Sequence, residues 1–416
     1  MLMKNNLRRT ILSQYPKDYL TFTAVESGTF GFTYFEGAQG KLQYTRNDGI
    51  SWNEVNDDIE VYENEVIKFK GNLIPNNDSN IGSVGIGNFN SSGQFIASGN
   101  IMSIIYGDDF GDKTDILHKH NFANLFKDCV GLVSIEEIKL PATNLTQQCY
   151  QSVFEGCISL ISIPENLLPA TKLSGYCYAY MFKGCTGITE IPEKLLHSLS
   201  LSMYCYVAMF ASCSGLKNIP ENLLPATTLV NDCYHYMFYN CTSLTEAPQL
   251  PATTLANYCY RYMFQGCSSL TTSPQLPATT LAYGCYDYMF RGCISLTEAP
   301  ELPATTLKEY CYHYMFYNCT SLTEAPQLPA TTLTSNCYNG MFRGCSKLNH
   351  ITMLAIDISA TDCLKDWVSG VSSEGTFIKN PEATWDVTGP SGIPEGWTVE
   401  YDDIVEDNNE QTEQEN

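Results

Sequence analysis

The chain has 416 residues, a hydrophobic content of 44% and a formal net charge of −22. That length accommodates two or three domains, and the apolar fraction is that of an ordinary globular protein. The charge argues against a nucleic-acid backbone as partner and disfavours an anionic membrane surface, because no basic stripe interleaved with aromatics offsets it.

Residues 1–18 read as a polar lead-in. Met1 to Tyr19 carries Lys4, Arg8 and Arg9 but only Ile11 and Leu12 where a secretory leader needs a continuous apolar stretch. No leader is expected, and no apolar run is long enough for a membrane span.

From residue 19 to 106 the sequence alternates in the manner of short strands: Leu20–Ala24, Thr29–Tyr34, Leu42–Tyr44, Glu65–Phe69 and Phe95–Ile105. Turn clusters at Asn47-Asp48-Gly49 and Pro75 to Ser79 separate them, which predicts a small antiparallel β-sandwich. Within it Thr45-Arg-Asn-Asp-Gly-Ile-Ser-Trp52 resembles an Asp-box hairpin of sialidases, with Asn47 in place of the usual Asp. Glycoside hydrolysis is its distant functional implication. A plain hairpin with Trp52 packed inward is the preferred reading. Residues 107–120 form a polar linker whose Asp108, Asp109 and Asp112 lack the spacing of a calcium loop.

The rest is organised by a nine-residue block, Cys233 to Cys241, that recurs from Cys149, Cys177, Cys205, Cys233, Cys259, Cys285, Cys311 and Cys337 at steps of 28 and then 26 residues. Taking the first cysteine as place 0, Tyr at +1, Met at +4, Phe at +5 and Cys at +8 are nearly constant. These offsets predict one buried face of a short helix, with +2 and +6 toward solvent. Gly, Asn or Ser at +7 predicts a left-handed stop. The segments that follow, such as Leu244 to Leu255, contain Pro248 and Pro251 and predict only short strands. Leu244, Ala247, Leu250 and Leu255 are their expected core residues. The longer repeats carry PENLLPAT (Pro164–Thr171 and Pro220–Thr227) where the shorter ones carry PQLPAT, so a local change of loop is expected there.

Residues 121–129 form a first, incomplete block with Asn121 at place 0. Cys363 to Val371 forms a last one, with Trp367 at +4 as a closing cap. The repeat array thus spans 121–371, an extended capping segment 372–401, and an acidic tail, expected to be disordered, 402–416.

The segments Met263-Phe-Gln-Gly-Cys-Ser-Ser-Leu270 and their copies, joined to LPATTL at Leu276–Leu281, Leu302–Leu307 and Leu328–Leu333, resemble the BspA-like branch of bacterial leucine-rich-repeat surface proteins. The expected fold is therefore a leucine-rich-repeat solenoid, a short helix plus a short strand per 26–28-residue repeat, preceded by the β-sandwich. The resemblance implies binding or adhesion and names no catalytic residue.

Seventeen of the eighteen cysteines fall in two repeat-phased columns and Cys363 keeps phase with the first. That placement favours reduced, buried thiols over a disulfide framework, and no CxxC pair points to zinc. No nucleophile elbow, P-loop, HExxH or dinucleotide glycine pattern occurs. No enzyme activity, metal or cofactor is expected. The candidate partner-binding residues are the +3 tyrosines Tyr236, Tyr262, Tyr288 and Tyr314 with the +2 residues His235, Arg261, Asp287 and His313. Together they form an array suited to stacking on a glycan or gripping a protein. Location at a cell surface or in a phage particle is expected, the latter in a tail- or fibre-associated role. A cytoplasmic location and an oligomer stay compatible with the sequence.

Overall fold

The computed structural model describes residues 18–76 and 84–402. The polar lead-in up to residue 17, the end of the Pro75–Ser79 turn and nearly all of the acidic tail lie outside the described residues. Two compact units are distinguished, Met1–Ala226 with Tyr236–Leu244, and Thr227–His235 with Thr245–Asn416.

The first unit opens with strands β1 (Leu20–Ala24), β2 (Gly28–Tyr34), β3 (Leu42–Thr45), β4 (Asn53–Glu54), β5 (Ile59–Val61), β6 (Val66–Gly71), β7 (Gly87–Ser91) and β8 (Phe95–Asn100). Alternation fixes which side is buried: Leu20, Phe22 and Ala24 point inward and Thr21 and Thr23 do not. A six-stranded sheet runs in the order β4-β3-β6-β1-β8-β9, where β9 is Leu132–Lys139, and a three-stranded sheet runs β5-β2-β7. Phe22 of the first sheet meets Phe30 and Phe89 of the second at ring-centroid distances of 5.3 and 4.8 Å. Strand β9 follows the first repeat block and pairs parallel with β8. The sheet therefore continues straight into the repeats. Its polar connection is engaged as well, since Asp108 accepts from the Tyr19 hydroxyl at 2.5 Å and pairs with Lys70 at 2.9 Å. The Asn47 segment is a hairpin between β3 and β4, in which the Ser51 amide donates to Asn47 Oδ1 and Trp52 packs edge-on to Tyr19.

The repeat blocks are not helices. Among the described residues the α-helix is limited to the turn α1 (Ser103–Tyr106). In the block beginning at Cys259, the amides at +2, +4, +6 and +8 donate three residues back within their own coil: Arg261 to Tyr258, Met263 to Tyr260, Gln265 to Tyr262 and Cys267 to Phe264. Those at +1, +3, +5 and +7 donate to the next coil instead: Tyr260 to Cys285, Tyr262 to Asp287, Phe264 to Met289 and Gly266 to Arg291. What permits this alternation is a left-handed residue at every fourth place, −1, +3 and +7. Tyr258, Tyr262 and Gly266 have φ of 56°, 57° and 76°, and Tyr176, Tyr180 and Gly184 have 56°, 59° and 75°. A helix would aim every amide along its own axis and leave none for the neighbouring coil. The +7 place is left-handed as its composition suggests, but as one step of a coil rather than a helix stop.

Side chains then fall into columns. Met263, Phe264, Cys259, Cys267 and their counterparts are fully buried. The +5 rings stack at 5.5–5.6 Å from Phe126 to Phe154, Phe182 and Phe210, and again at 5.6 Å from Phe264 to Phe290, Phe316 and Phe342. The +1 tyrosines do likewise at 5.8–5.9 Å from Tyr234 to Tyr338. The thiol at +8 has a polar role: Cys293 Sγ donates to the Phe264 carbonyl at 3.1 Å, and Cys157, Cys185, Cys213, Cys241, Cys319 and Cys345 repeat that bond to the preceding coil. All eighteen cysteines are buried free thiols.

In the connecting segments Leu244 and Leu250 are buried as expected, whereas Ala247 and Leu255 are half-buried and Ala252 takes the inner place. The two extra residues of the longer repeats make a turn, Leu167 N–H to Pro164 O and Leu223 N–H to Pro220 O. They add a second buried leucine to each, as in Leu167–Leu168 and Leu223–Leu224.

Both ends are closed. The block at 121–129 is conformationally a full coil, and its outer carbonyls are met by β7: Phe89 N–H bonds Leu125 O, and Asn88 Nδ2 bonds Lys127 O. Phe89 also stacks on Phe126 at 5.5 Å. In the second unit, parallel strands β10 (His350–Met353), β11 (Thr376–Lys379) and β12 (Thr398–Tyr401) follow the repeats. The Trp367 indole is fully buried and donates to Gly392 O at 2.8 Å, and Val368 N–H bonds Pro390 O.

Two predictions follow from this backbone. Ser212 holds a +7 place at φ 61° where most coils have glycine, so Ser212→Gly is expected to stabilise by about 1 kcal/mol and Gly292→Val to destabilise by at least as much, read in urea denaturation. Burial raises the thiols from 9.0, and Cys129, Cys149, Cys213, Cys337 and Cys345 reach about 12. The unfolded chain ionises first, so their contribution is complete below pH 9 and is lost as pH rises toward 12. Each thiol forfeits ~1.4 kcal/mol per pH unit in that window, against a typical domain stability of roughly 5–15 kcal/mol. The protein should lose its circular-dichroism signal within two pH units above 9, with all thiols becoming reactive to maleimide, and a chain still folded at pH 12 would contradict the buried-thiol columns.

Candidate binding surface

Because −1 and +3 are left-handed, their side chains leave the coil on the side away from the +4 and +5 core, together with those at +2 and +6. In the second unit this gathers seven of the eight candidate residues. Tyr262 stacks on Tyr288 at 4.7 Å and Tyr288 on Tyr314 at 5.1 Å, with ring planes within 19° and 8° of parallel. The row ends at Gly340, where a Cβ would lie 2.4 Å from the Tyr314 ring. Tyr258 likewise lies over Gly284, whose Cβ would come within 2.6 Å of it.

The +2 residues do not face open solvent. Asp287 is buried and binds both neighbours, Arg261 Nε at 2.7 Å on one carboxylate oxygen and His313 Nδ1 at 2.9 Å on the other. The reason is the stacking itself: places +2 of adjacent coils lie one strand spacing apart, and opposite charges brought that close pair instead of hydrating. Arg261 also lies over Tyr258 and Tyr262 at 4.9 and 4.7 Å. Burial alone would make its guanidinium easier to deprotonate, but the Asp287 carboxylate and the adjacent tyrosines outweigh burial and raise it. The Tyr288 hydroxyl is pushed up to about 12 by burial and by the Asp287 charge. His313 sits edge-on to Tyr288, Tyr310 and Tyr314 at 5.2, 5.2 and 4.5 Å. His235 pairs with Asp232 at 3.1 Å and stacks on Tyr262 at 5.8 Å.

Tyr236 belongs to the first unit. There it is half-buried against the cluster of Ala179, Val207, Ala208 and Ala211, edge-on to Tyr239 at 5.3 Å. The same unit repeats the alternation of charge at +6, where Glu155 lies between Lys127 at 3.3 Å and Lys183 at 3.0 Å. Burial alone would raise its carboxyl; the Ser152 hydroxyl and the two ammonium groups outweigh it and hold the group below its ordinary value.

The sequence marks the −1 tyrosines Tyr258 and Tyr310 beside the +3 column, but the candidate set leaves them out together with Tyr283 and Arg291, and these four complete the cluster. Arg291 lies over Tyr288 and Tyr317 at 5.4 and 5.0 Å. The signal for Tyr258 and Tyr310 is the −1 tyrosine column, readable once −1 and +3 are known to be equivalent left-handed places, whereas Tyr283 at −2 and Arg291 at +6 carry no column signal. Among the described residues no group of three His, Cys, Asp or Glu side chains is arranged to hold a metal ion, and no helix is long and apolar enough to cross a membrane.

Coils of 26–28 residues with inward leucines, joined by short parallel bridges such as Glu246 to Thr272 and Thr280 to Thr306, define a protein of leucine-rich-repeat type. The family model of the BspA type leucine rich repeat region matches in six copies over residues 122–222, 178–298 and 261–362, more than half of the chain, and the chain belongs to that family. No match is found among curated proteins.

Removing the Asp287 carboxylate should therefore act through packing and charge together. Asp287→Ala is expected to cost about 1–3 kcal/mol, discounted from the value for a fully buried pair because Arg261 is partly exposed. A double-mutant cycle with Arg261→Ala in urea should give a coupling of about 1 kcal/mol, whereas strict additivity would show that the pair contributes nothing beyond its separate contacts.

Proposed function

We propose that the chain is a non-catalytic recognition and adhesion protein, in which a β-sandwich precedes a leucine-rich-repeat solenoid and the repeats present the binding surface to a protein or glycan outside the cell. The observation that carries this reading is the separation of duties among places. Places 0, +1, +4, +5 and +8 and the backbone are consumed in holding coil to coil, while −1, +2, +3 and +6 vary from coil to coil and gather aromatic and charged side chains on one side. Variable columns on a fixed scaffold are how repeat proteins acquire extended binding surfaces. Family membership supports a repeat-based interaction role.

The tyrosine row bears on the type of contact. Both faces of Tyr288 are covered by Tyr262 and Tyr314, so the row offers ring edges and phenol hydroxyls rather than open faces. That favours a protein partner at the tyrosine surface, with tyrosine and arginine as anchors.

The test uses the full chain on mucin glycoprotein coated before and after enzymatic deglycosylation. The expected result is saturable retention that survives deglycosylation and falls at least tenfold in a Tyr262→Asn, Tyr288→Asn, Tyr314→Asn variant, asparagine being chosen because Asn124 occupies the same left-handed place at φ 63°. Absence of retention on either coat, or equal retention of a folded variant, would overturn the reading for this surface.

A further inference from the structure

On another part of the second unit the side chains form columns of a different kind. The sequence Pro-Ala-Thr-Thr-Leu recurs so that Thr228, Thr254, Thr280, Thr306 and Thr332 fall one per coil, each preceded by a second threonine. All ten threonines are exposed. The register is held by parallel bridges between Thr228 and Thr254 and between Thr280 and Thr306. The same order is kept by backbone bonds from Leu229 N–H to Thr254 O and from Leu281 N–H to Thr306 O.

Two residues before each of the last four threonine pairs stands a proline, Pro251, Pro277, Pro303 or Pro329, and two places earlier an exposed Gln or Glu: Gln249, Gln275, Glu301 and Gln327. Between two of these coils this side is indented. A groove of about 500 Å³ is lined by Pro300, Glu301, Pro303, Pro326, Gln327 and Pro329. The columns carry one acid and no base, on a chain of net charge −22.

We infer that this threonine–proline face binds an extended, uncharged β-linked polysaccharide laid along the stacking direction, with about one sugar per coil. The inference rests on the recognition reading above but assigns it a different face and a ligand class. Its argument is one of period and polarity. Stacked strands repeat at about 4.8 Å, and a β-1,4-linked sugar chain in its extended form repeats at a closely similar length. Successive sugars of such a chain are turned over relative to one another, so every second sugar can meet an equivalent set of hydroxyls, two coils apart. Threonine hydroxyls both donate and accept, glutamine amides do the same, and proline rings give the apolar sugar faces a flat bed. A polyanion is repelled by the chain's charge and a polycation finds one carboxylate in these columns, which leaves a neutral polymer.

The experiment measures retention of the full chain on insoluble cellulose, xylan and chitin, then calorimetric affinity for the β-1,4-linked oligomers, from disaccharide to hexasaccharide, of each polymer that retains it. Retention on at least one polymer is expected, with affinity for its oligomers rising with length up to about five sugars. The variant Thr254→Val, Thr280→Val, Thr306→Val keeps the side-chain shape and removes three hydroxyls. It should weaken binding at least tenfold, since each hydrogen bond is worth roughly 0.5–1.5 kcal/mol. Retention on none of the three polymers, affinity independent of oligomer length, or an undiminished threonine variant would overturn the inference. Loss of mucin retention in the tyrosine variant alone, with no polysaccharide bound, would leave the recognition reading standing and remove this one.

Discussion

A left-handed residue at every fourth place is the constraint on which the repeat region depends. It turns alternate amides out of the coil, so that half close four-residue turns and half reach the neighbouring coil. Every backbone donor from +1 to +8 of the Cys259 block is thereby satisfied without a helix and without a long strand. The cost is conformational. Glycine meets it freely at +7, but Tyr, Asp, Ser and Ala hold equivalent places in other coils, each at a strain of about 1 kcal/mol or more. Packing across coils must offset that strain. The tyrosines do so by lying over the next coil, which is why Gly284 and Gly340 stand where Tyr258 and Tyr314 need room.

Exact stacking places like upon like, and side-chain chemistry decides which columns tolerate it. Phe and Tyr gain from parallel offset contact, so +1 and +5 are nearly uniform. The thiol at +8 is small enough to be buried in series and still donate to a carbonyl of the coil before. In the +2 and +6 columns neighbouring charges pair with opposite sign. Lys127, Glu155 and Lys183 alternate, as do Arg261, Asp287 and His313. Columnar repetition therefore accounts for uniformity in the core and for the charge alternation at +2 and +6.

Much of this order was legible in the sequence. The strands β1, β2, β3 and β6 fall within a residue or two of where alternation places them, the Met, Phe and Cys places of the repeat block are buried, and the indole of Trp367 is buried at the last block. The helix was misjudged because offsets 0, +1, +4, +5 and +8 satisfy a four-residue period as well as a 3.6-residue one over so short a block. The distinguishing signal lay in the minority residues. Gly284 and Asn336 at −1, Asn124 and Gly340 at +3, and glycine at +7 mark one conformation at three places, which a helix with a single stop does not need. The ion pairs were hidden for another reason: each residue looks like a solvent-face substitution until the coils are superposed, and only then does Asp287 fall between Arg261 and His313.

The same superposition separates two kinds of surface. On the tyrosine side, rings cover rings and carboxylates are held by arginine and histidine, so a partner must compete with contacts already made or use their edges. On the threonine side the hydroxyls repeat in register, exposed, with little charge and a groove beside them. A varied surface can specify one partner through particular side chains. A uniform one can specify only a period, and the ligands that share a period with stacked strands are polymers.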